Sequence, residues 1–468
     1  MPGMMPTKIL LVSPSKFEVY GKMAPPDYLP LGIAYLGAVL ENAGHAVDII
    51  DIDADGINDA MFVDSLGKGY DIVGFSITTP TFQNAQKLAE LVKRNSKSTT
   101  VMGGIHATIL PGDCLRGGHV DYVVRGEGER TILEFVDALA GKMKLEDVRG
   151  LSYMRDGARV DTPNRELIEN LDEIPFPARH LFRQQKYTYP DALLSPSMPI
   201  LSSRGCPHGC TYCATKILFS RRARLRSAKN LVDEIEQLIL RYGLREVHFW
   251  DDNYTCNRKR VFEIRDEIKR RGIKINIVFA SGLRVDQVDR EILECLKDMG
   301  TYSMAFGVES GNQAVLDHVK KGTTLRQIEE AFSLAKEVGF ETWGFFILGL
   351  PGDTPQSIRD TIEFAKKIDP DVAKFHILKP YPGTEAYEEL RENGFLLSTD
   401  YAKYGIHTPP VHRLSEVTAD ELMSWQKRAY RKFYLRPGKI FKHLMRMKSW
   451  NRIKLNLTAC KSVIKSMV

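Results

Sequence analysis

Short apolar runs rich in β-branched residues recur through the first 125 residues: Lys8 to Val12, Ala46 to Asp51, Asp71 to Ile77, Thr99 to Gly103 and Asp121 to Arg125. Between them, apolar positions repeat with helical spacing, as in Leu31 to Ala43 (Leu31, Ala34, Tyr35, Ala38, Val39) and Thr81 to Lys93. Strands alternating with helices predict a doubly wound parallel sheet, Rossmann-like and flavodoxin-like, over residues 1–150. Residues 151–195 lose the alternation and contain Ile174-Pro175-Phe176-Pro177, which reads as a linker with a small hairpin. A second series follows over residues 196–410, with strand candidates at Pro199 to Ser203, Glu246 to Trp250, Ile275 to Phe279, Ser303 to Val308, Thr342 to Leu348 and Ala373 to Leu378. Helical segments such as Ala228 to Tyr242 and Leu325 to Val338 separate them, so this part predicts a partial (βα)6 barrel of the TIM type. Residues 411–468 read as helical, with Ser415 as cap for a helix over Thr418 to Phe433 and an interruption at Pro437-Gly438.

In both folds, ligands meet the carboxyl ends of the parallel strands. In the first series those ends carry Thr78-Thr79-Pro80, Gly103-Gly104-Ile105-His106 and Gly126-Glu127-Gly128-Glu129, although each also reads as an ordinary tight turn.

Composition adds two constraints. With 43% hydrophobic and 26% charged residues the chain has a soluble globular make-up, without a signal-peptide pattern or an apolar stretch of the roughly 18 residues a membrane span needs. A cytoplasmic location is expected. The net charge of +6 is uneven: Lys427 to Val468 holds thirteen Lys or Arg and no Asp or Glu, leaving −7 on the rest. That basic, partly apolar tail suits an anionic membrane surface or a lipid substrate, and RNA less well; it also suits a helix covering the acidic remainder of its own chain.

The seven cysteines are the chemical anomaly, because Cys206, Cys210 and Cys213 fall within eight residues, in Arg204-Gly205-Cys206-Pro207-His208-Gly209-Cys210-Thr211-Tyr212-Cys213. Three thiolates on a Gly- and Pro-containing loop can converge on zinc or an iron-sulfur cluster. A structural zinc normally takes four protein ligands, and His208 would have to be the fourth, as in a zinc-containing binding protein with a Rossmann-like sensor domain. Three ligands instead leave a 4Fe-4S cluster with one iron open.

The C-x-x-x-C-x-x-C loop, with Tyr212 before its last cysteine, resembles the signature of the radical S-adenosylmethionine superfamily. The resemblance implies that S-adenosylmethionine chelates the open iron and is cleaved by one electron to a 5'-deoxyadenosyl radical. It assigns cofactor contacts to Tyr212, to Asp251 and Asp252 in Trp250-Asp251-Asp252-Asn253, to Ser281 and Arg284, to Glu309 in Gly307-Val308-Glu309-Ser310-Gly311, and to Leu348 in Ile347-Leu348-Gly349-Leu350-Pro351-Gly352. A doubly wound domain before such a barrel resembles the cobalamin-binding class of the superfamily. That likeness implies cobalamin contacts at Thr78, Thr79, Gly104, His106, Gly126 and Glu127. The D-x-H-x-x-G cobalt-ligating motif is absent from the chain, so cobalt's lower ligand is left open, and His106 also reads as a simple loop hydrogen-bonder. The class implies methyl transfer to an unactivated carbon of a small-molecule or lipid substrate, or alternatively a cyclisation or rearrangement without net methylation. It also implies a reductant such as a flavodoxin or ferredoxin. A methylthiotransferase-like tRNA enzyme would ordinarily bring three further cluster cysteines in the first domain, where only Cys114 is found.

Overall fold

A computed structural model describes residues 6–17, 28–189 and 192–446, with side chains up to residue 441. The chain divides into two compact units, Met1–Thr188 with Asp400–Thr408, and Tyr189–Thr399 with Pro409–Val468.

The first unit is built on strands β1 (Lys8–Ser13), β2 (Ala46–Asp51), β3 (Ile72–Ser76), β4 (Thr99–Gly103), β5 (Tyr122–Val124), β6 (Leu151–Arg155) and β7 (Ala158–Asp161), in the order β2-β1-β3-β4-β5-β6-β7. The first five are parallel and follow the flavodoxin-like order, which reverses between β1 and β3. The apolar runs are strands because Ile9, Leu10, Val12, Val73 and Phe75 are buried. Helix Phe82–Asn95 turns Ala85, Leu88, Ala89 and Val92 inward at helical spacing. The small hairpin expected after residue 150 is present as β6 and β7, which pair antiparallel with β5 and with each other and so extend the sheet. The physical reason is edge satisfaction, since the free side of β5 would otherwise leave its backbone groups unpaired.

The second unit contains β8 (Ser197–Ile200), the short antiparallel pair β9 (Ser203–Arg204) and β10 (Arg224–Leu225), and then β11 (Glu246–Phe249), β12 (Asn276–Leu283), β13 (Thr301–Glu309), β14 (Glu341–Leu348) and β15 (Val372–Ile377). Six of these make an open parallel sheet in the order β15-β14-β13-β12-β11-β8. Its outer face and the covering helices form one apolar core. Helix Ala228–Tyr242 begins where the Ser227 side chain accepts from Asn230 N and stops at Gly243, which takes the left-handed conformation.

The C-terminal helix, Ala419–Tyr434, is capped by Thr418 rather than Ser415. Thr418 has Glu421 three residues on and makes the reciprocal capping box with it, whereas Ser415 has Thr418 there. The described part of the basic tail does cover acidic residues of its own unit, through Lys432 with Glu363 (3.1 Å), Arg436 with Asp369 (2.6 Å) and Lys439 with Asp369 (3.3 Å). Residues 447–468 of the tail lie outside the described residues.

Ahead of that helix, His412 is fully buried, its Nε2 donating to Gly349 O at 2.8 Å where β14 ends. Burial pushes its pKa down from 6.5 to about 4. The fold therefore favours the neutral ring, at no cost above pH 6.5; below it the unfolded chain gains a proton that the folded chain refuses, down to about 4. Urea unfolding near pH 5 should accordingly show about 2 kcal/mol less stability than near pH 7 from this group. That increment should disappear in His412→Asn, and an unchanged pH dependence in the variant would exclude His412 as its source.

Candidate functional site

The cysteine loop leaves the sheet through a constriction only glycine can pass. Gly205 has φ +89°, and a Cβ there would lie 2.0 Å from Arg222 O and 2.9 Å from Phe219 Cβ. The β9-β10 pairing closes the base of the excursion that carries the three cysteines.

Two carboxylates at the end of β11 fix that excursion. Asp252 accepts from Gly205 N at 2.8 Å and from Thr215 Oγ1 at 3.3 Å, pinning the loop on both sides of the cysteines. Asp251, 2% exposed, accepts from Ser202 N (3.1 Å), Ser202 Oγ (2.6 Å) and Ser203 Oγ, holding the approach to the loop. Its neighbour Asn253 donates to Cys206 Sγ at 3.7 Å and leaves its own Oδ1 buried and without a partner. Thr211, between the second and third cysteines, donates its N–H to Val319 O and accepts from Ala386 N, both at 3.0 Å, and Tyr212 packs on the barrel core.

Burial raises the thiol pKa of Cys206 and Cys213 above the ordinary value, so an electropositive centre is needed to hold them as thiolates. His208 is taken up elsewhere: its Nε2 accepts from Gln287 Nε2 at 3.1 Å, and Gln287 Oε1 accepts from Thr255 Oγ1. Among the described residues, no three His, Cys, Asp or Glu side chains converge on a single-ion position. Three thiolates, with His208 engaged by Gln287 rather than offered as a fourth ligand, are the donor set of a cluster that keeps one iron open.

The neighbouring strand ends bring the other expected residues to the same rim. Ser281 Oγ donates to Asp251 O at 2.9 Å. Arg284, 6% exposed, donates to Asp286 and to Lys321 O, all at 2.9 Å. Glu309 sits at the end of β13 with φ +65°, a strained conformation for a glutamate, and accepts from Lys321 Nζ at 2.8 Å. Leu348 stands apart: its side chain is in the outer core and its carbonyl accepts from Leu378 N at 2.9 Å. Asn253 closes the Trp250-Asp251-Asp252-Asn253 motif, whereas no local pattern in the chain marks Lys321.

In the first unit, the loops expected to meet cobalamin converge at the carboxyl ends of β3, β4 and β5. Gly104, at φ +102°, packs so closely that a Cβ would lie 2.5 Å from Ile77 O. Thr79 Oγ1 is 3.3 Å from His106 Nδ1, and Thr78 is exposed. The His106 ring is fully buried between Phe82 and Tyr401, with centroids at 4.4 and 4.8 Å, and its Nε2 has no partner. Burial pushes its pKa down to about 4, so the ring is neutral. Gly126 donates to Thr108 Oγ1 at 2.9 Å and has open space where a Cβ would be, while Glu127 Oε2 accepts from Ile168 N at 2.8 Å. Exposed Thr78 beside the reversal of strand order and the open Gly126 turn after β5 leave room for a bulky planar cofactor. The enclosed His106 offers no exposed imidazole to a cobalt.

Comparison with known proteins agrees with this division. The Radical SAM superfamily profile matches residues 200–365, and the B12 binding domain profile matches residues 18–136. The chain is 36% identical over 440 residues to an uncharacterised methyltransferase of Pyrococcus horikoshii, covering 93% of this chain and 94% of the relative. It is 30% identical to the cytidylyl-2-hydroxyethylphosphonate methyltransferase of Streptomyces wedmorensis (83% and 82% covered). It is 29% identical to the anaerobic magnesium-protoporphyrin IX monomethyl ester cyclase of Rubrivivax gelatinosus (98% and 82% covered). Its fold is that of the cobalamin-dependent S-adenosylmethionine radical enzyme OxsB, with a TM-score of 0.76, 17% identity and coverage of 99% and 72%.

Gly205→Ala should prevent the loop from closing and lower iron loading on anaerobic reconstitution, with a stability loss above about 1 kcal/mol. Gly243→Ala, at another left-handed glycine but with open space around it, should keep full iron content. Equal loading of Gly205→Ala and wild type would show that the constriction does not govern the cluster site.

Proposed function

The chain belongs to the B12-binding radical S-adenosylmethionine enzymes, and from that premise we propose that it transfers a methyl group to an unactivated carbon of its substrate. The observation that carries this reading is the pinned three-cysteine loop on a parallel sheet, together with an N-terminal B12-binding domain. The cofactors of such an enzyme are a 4Fe-4S cluster, S-adenosylmethionine and cobalamin, and when bound they supply one-electron cleavage chemistry and a transferable methyl group.

The protein's part is to hold and orient. Cys206, Cys210 and Cys213 are the cluster ligands in this reading, and Asp251, Asp252 and Asn253 set their geometry. Glu309, with Arg284, Ser281 and Tyr212, forms the polar rim that would receive S-adenosylmethionine. Lys321 holds the Glu309 carboxylate in place through its ammonium. Thr78, Thr79, Gly104, Gly126 and Glu127 shape the cobalamin face. His106, enclosed beside Thr79, would support that face. A flavodoxin or ferredoxin is the proposed electron source.

The second reading, a cyclisation or rearrangement without net methylation, is favoured by the similarity to the cyclase over 98% of this chain. Product mass separates the two. After anaerobic purification with iron and cobalamin supplied, the wild type should bind corrin and form 5'-deoxyadenosine from S-adenosylmethionine under reductant. Cys206→Ala should lose deoxyadenosine formation altogether. Deoxyadenosine without bound corrin would remove the cobalamin part of the proposal, and neither signal would remove both parts.

No helix among the described residues is long and apolar enough to cross a membrane. We further propose peripheral contact of the C-terminal tail with anionic lipid. In support, Leu435, Ile440 and Phe441 are 60%, 45% and 64% exposed, with Lys427, Arg428 and Arg431 also exposed on the preceding helix. Each basic residue near an anionic surface contributes roughly 1 kcal/mol. The protein should sediment with phosphatidylglycerol-containing vesicles and not with pure phosphatidylcholine vesicles, and Phe441→Asp should weaken that binding. Equal affinity for the two vesicle types would dismiss the contact.

A further inference from the structure

On the last two strands of the barrel, burial alternates residue by residue. On β14, Thr342, Gly344, Phe346 and Leu348 are buried, while Trp343, Phe345 and Ile347 are only half-buried. On β15, Ala373, Phe375 and Ile377 are buried, Val372 and His376 are half-buried, and Lys374 is exposed. Side chains on a strand alternate between faces, so the buried set is the outer face under the helices and the accessible set lines the barrel interior.

That inner wall has a distinct chemistry. Phe345 is in register with Lys374 on one side and with Gly307 on the other. Gly282 packs against the ring, a Cβ there lying 3.5 Å from Phe345 Cδ2. The Lys374 ammonium stands over two rings, 4.7 Å from the Trp343 centroid and 5.6 Å from that of Phe345. Glu341 is an acidic group on the same face, lying toward the amino ends of the strands and accepting from Trp343 Nε1 at 3.2 Å. His376 is one step above Lys374 on its strand. The wall continues upward to the proposed cofactor rim, because a Cβ at Gly307 would lie 2.6 Å from Glu309 Oε1.

We propose that this wall is the substrate site and that the substrate is a flat, unsaturated molecule carrying an anionic group such as a carboxylate or phosphate. Its ring face lies on Trp343 and Phe345, whose large planar surfaces favour stacked partners. Its anion is met by the Lys374 ammonium, which stands over the two rings. The inference rests on the reading of the barrel as the reaction chamber.

The test uses the cofactor-loaded enzyme without reductant, so that binding is read without turnover, and two fluorescent probes of the same shape, 1-pyrenebutyrate and 1-pyrenebutanol. The wild type should bind the carboxylate about tenfold more tightly than the alcohol. Lys374→Met should bring the two affinities together, Lys374→Arg should restore the preference, and Trp343→Ala should weaken both probes, with each variant's melting temperature checked. Equal binding of the two probes by the wild type, or a preference that survives in Lys374→Met, overturns the inference. Deoxyadenosine formation is measured separately on the wild type. If it occurs without an anion preference, the substrate class falls and the radical reading stands; a preference without deoxyadenosine supports the wall and counts against the reaction.

Discussion

The site depends on two adjacent carboxylates at the end of one strand. Asp251 is buried, and burial alone raises its pKa; several hydrogen bonds from Ser202 and Ser203 offset that cost. Asp252 spends its oxygens on Gly205 N and Thr215 Oγ1. The result is a cysteine loop whose entry and exit are fixed by contacts that no metal supplies. Such preorganisation lowers the ordering that cluster binding must bring about, and it accounts for an otherwise unfavourable concentration of buried acid beside thiols that burial also disfavours as anions.

A comparable logic governs the first unit, with a neutral base in place of acids. His106 sits beneath Thr79 with Phe82 and Tyr401 on its faces, and Tyr401 belongs to the segment Asp400–Thr408 that completes this unit late in the chain. Tyr401 OH also donates to Asp113 at 2.9 Å, and Gln83 Nε2 donates to Asp400 at 2.8 Å. The turn after β4 is thus braced by residues far away in sequence. Its glycine approach to Ile77 leaves no tolerance for a side chain there.

The barrel strands serve two purposes at once. Their outer residues, Phe346 and Phe375 among them, stack in the core at 4.9 Å, while the inner residues of the same strands stay accessible. Period-two alternation makes this division possible, since specificity can change on one face without disturbing packing on the other. Glu309 marks the upper limit of the accessible face, where backbone strain and an ion pair with Lys321 coincide.

Much of this was legible in the chain. The runs Ala46 to Asp51 and Thr99 to Gly103 and the helices Ala228 to Tyr242 and Leu325 to Val338 occupy the ranges their periodicity predicts, because period depends on near neighbours. The three cysteines were equally legible, since ligand spacing within one loop is local. What the tertiary structure alone decided is where long-range contacts direct each polar group. Asp251 turns to Ser202 and Ser203, His208 to Gln287 and Glu309 to Lys321; His106 is enclosed, and Leu348 is buried in the core. The hairpin after β5 became part of a sheet, and Thr418 displaced Ser415 as a cap. The sequence by itself determined the two α/β architectures and the spacing of the three-cysteine loop, which are properties of adjacent residues. The distribution of hydrogen bonds, burial and accessible faces required the fold, because those depend on which distant segments come to lie side by side.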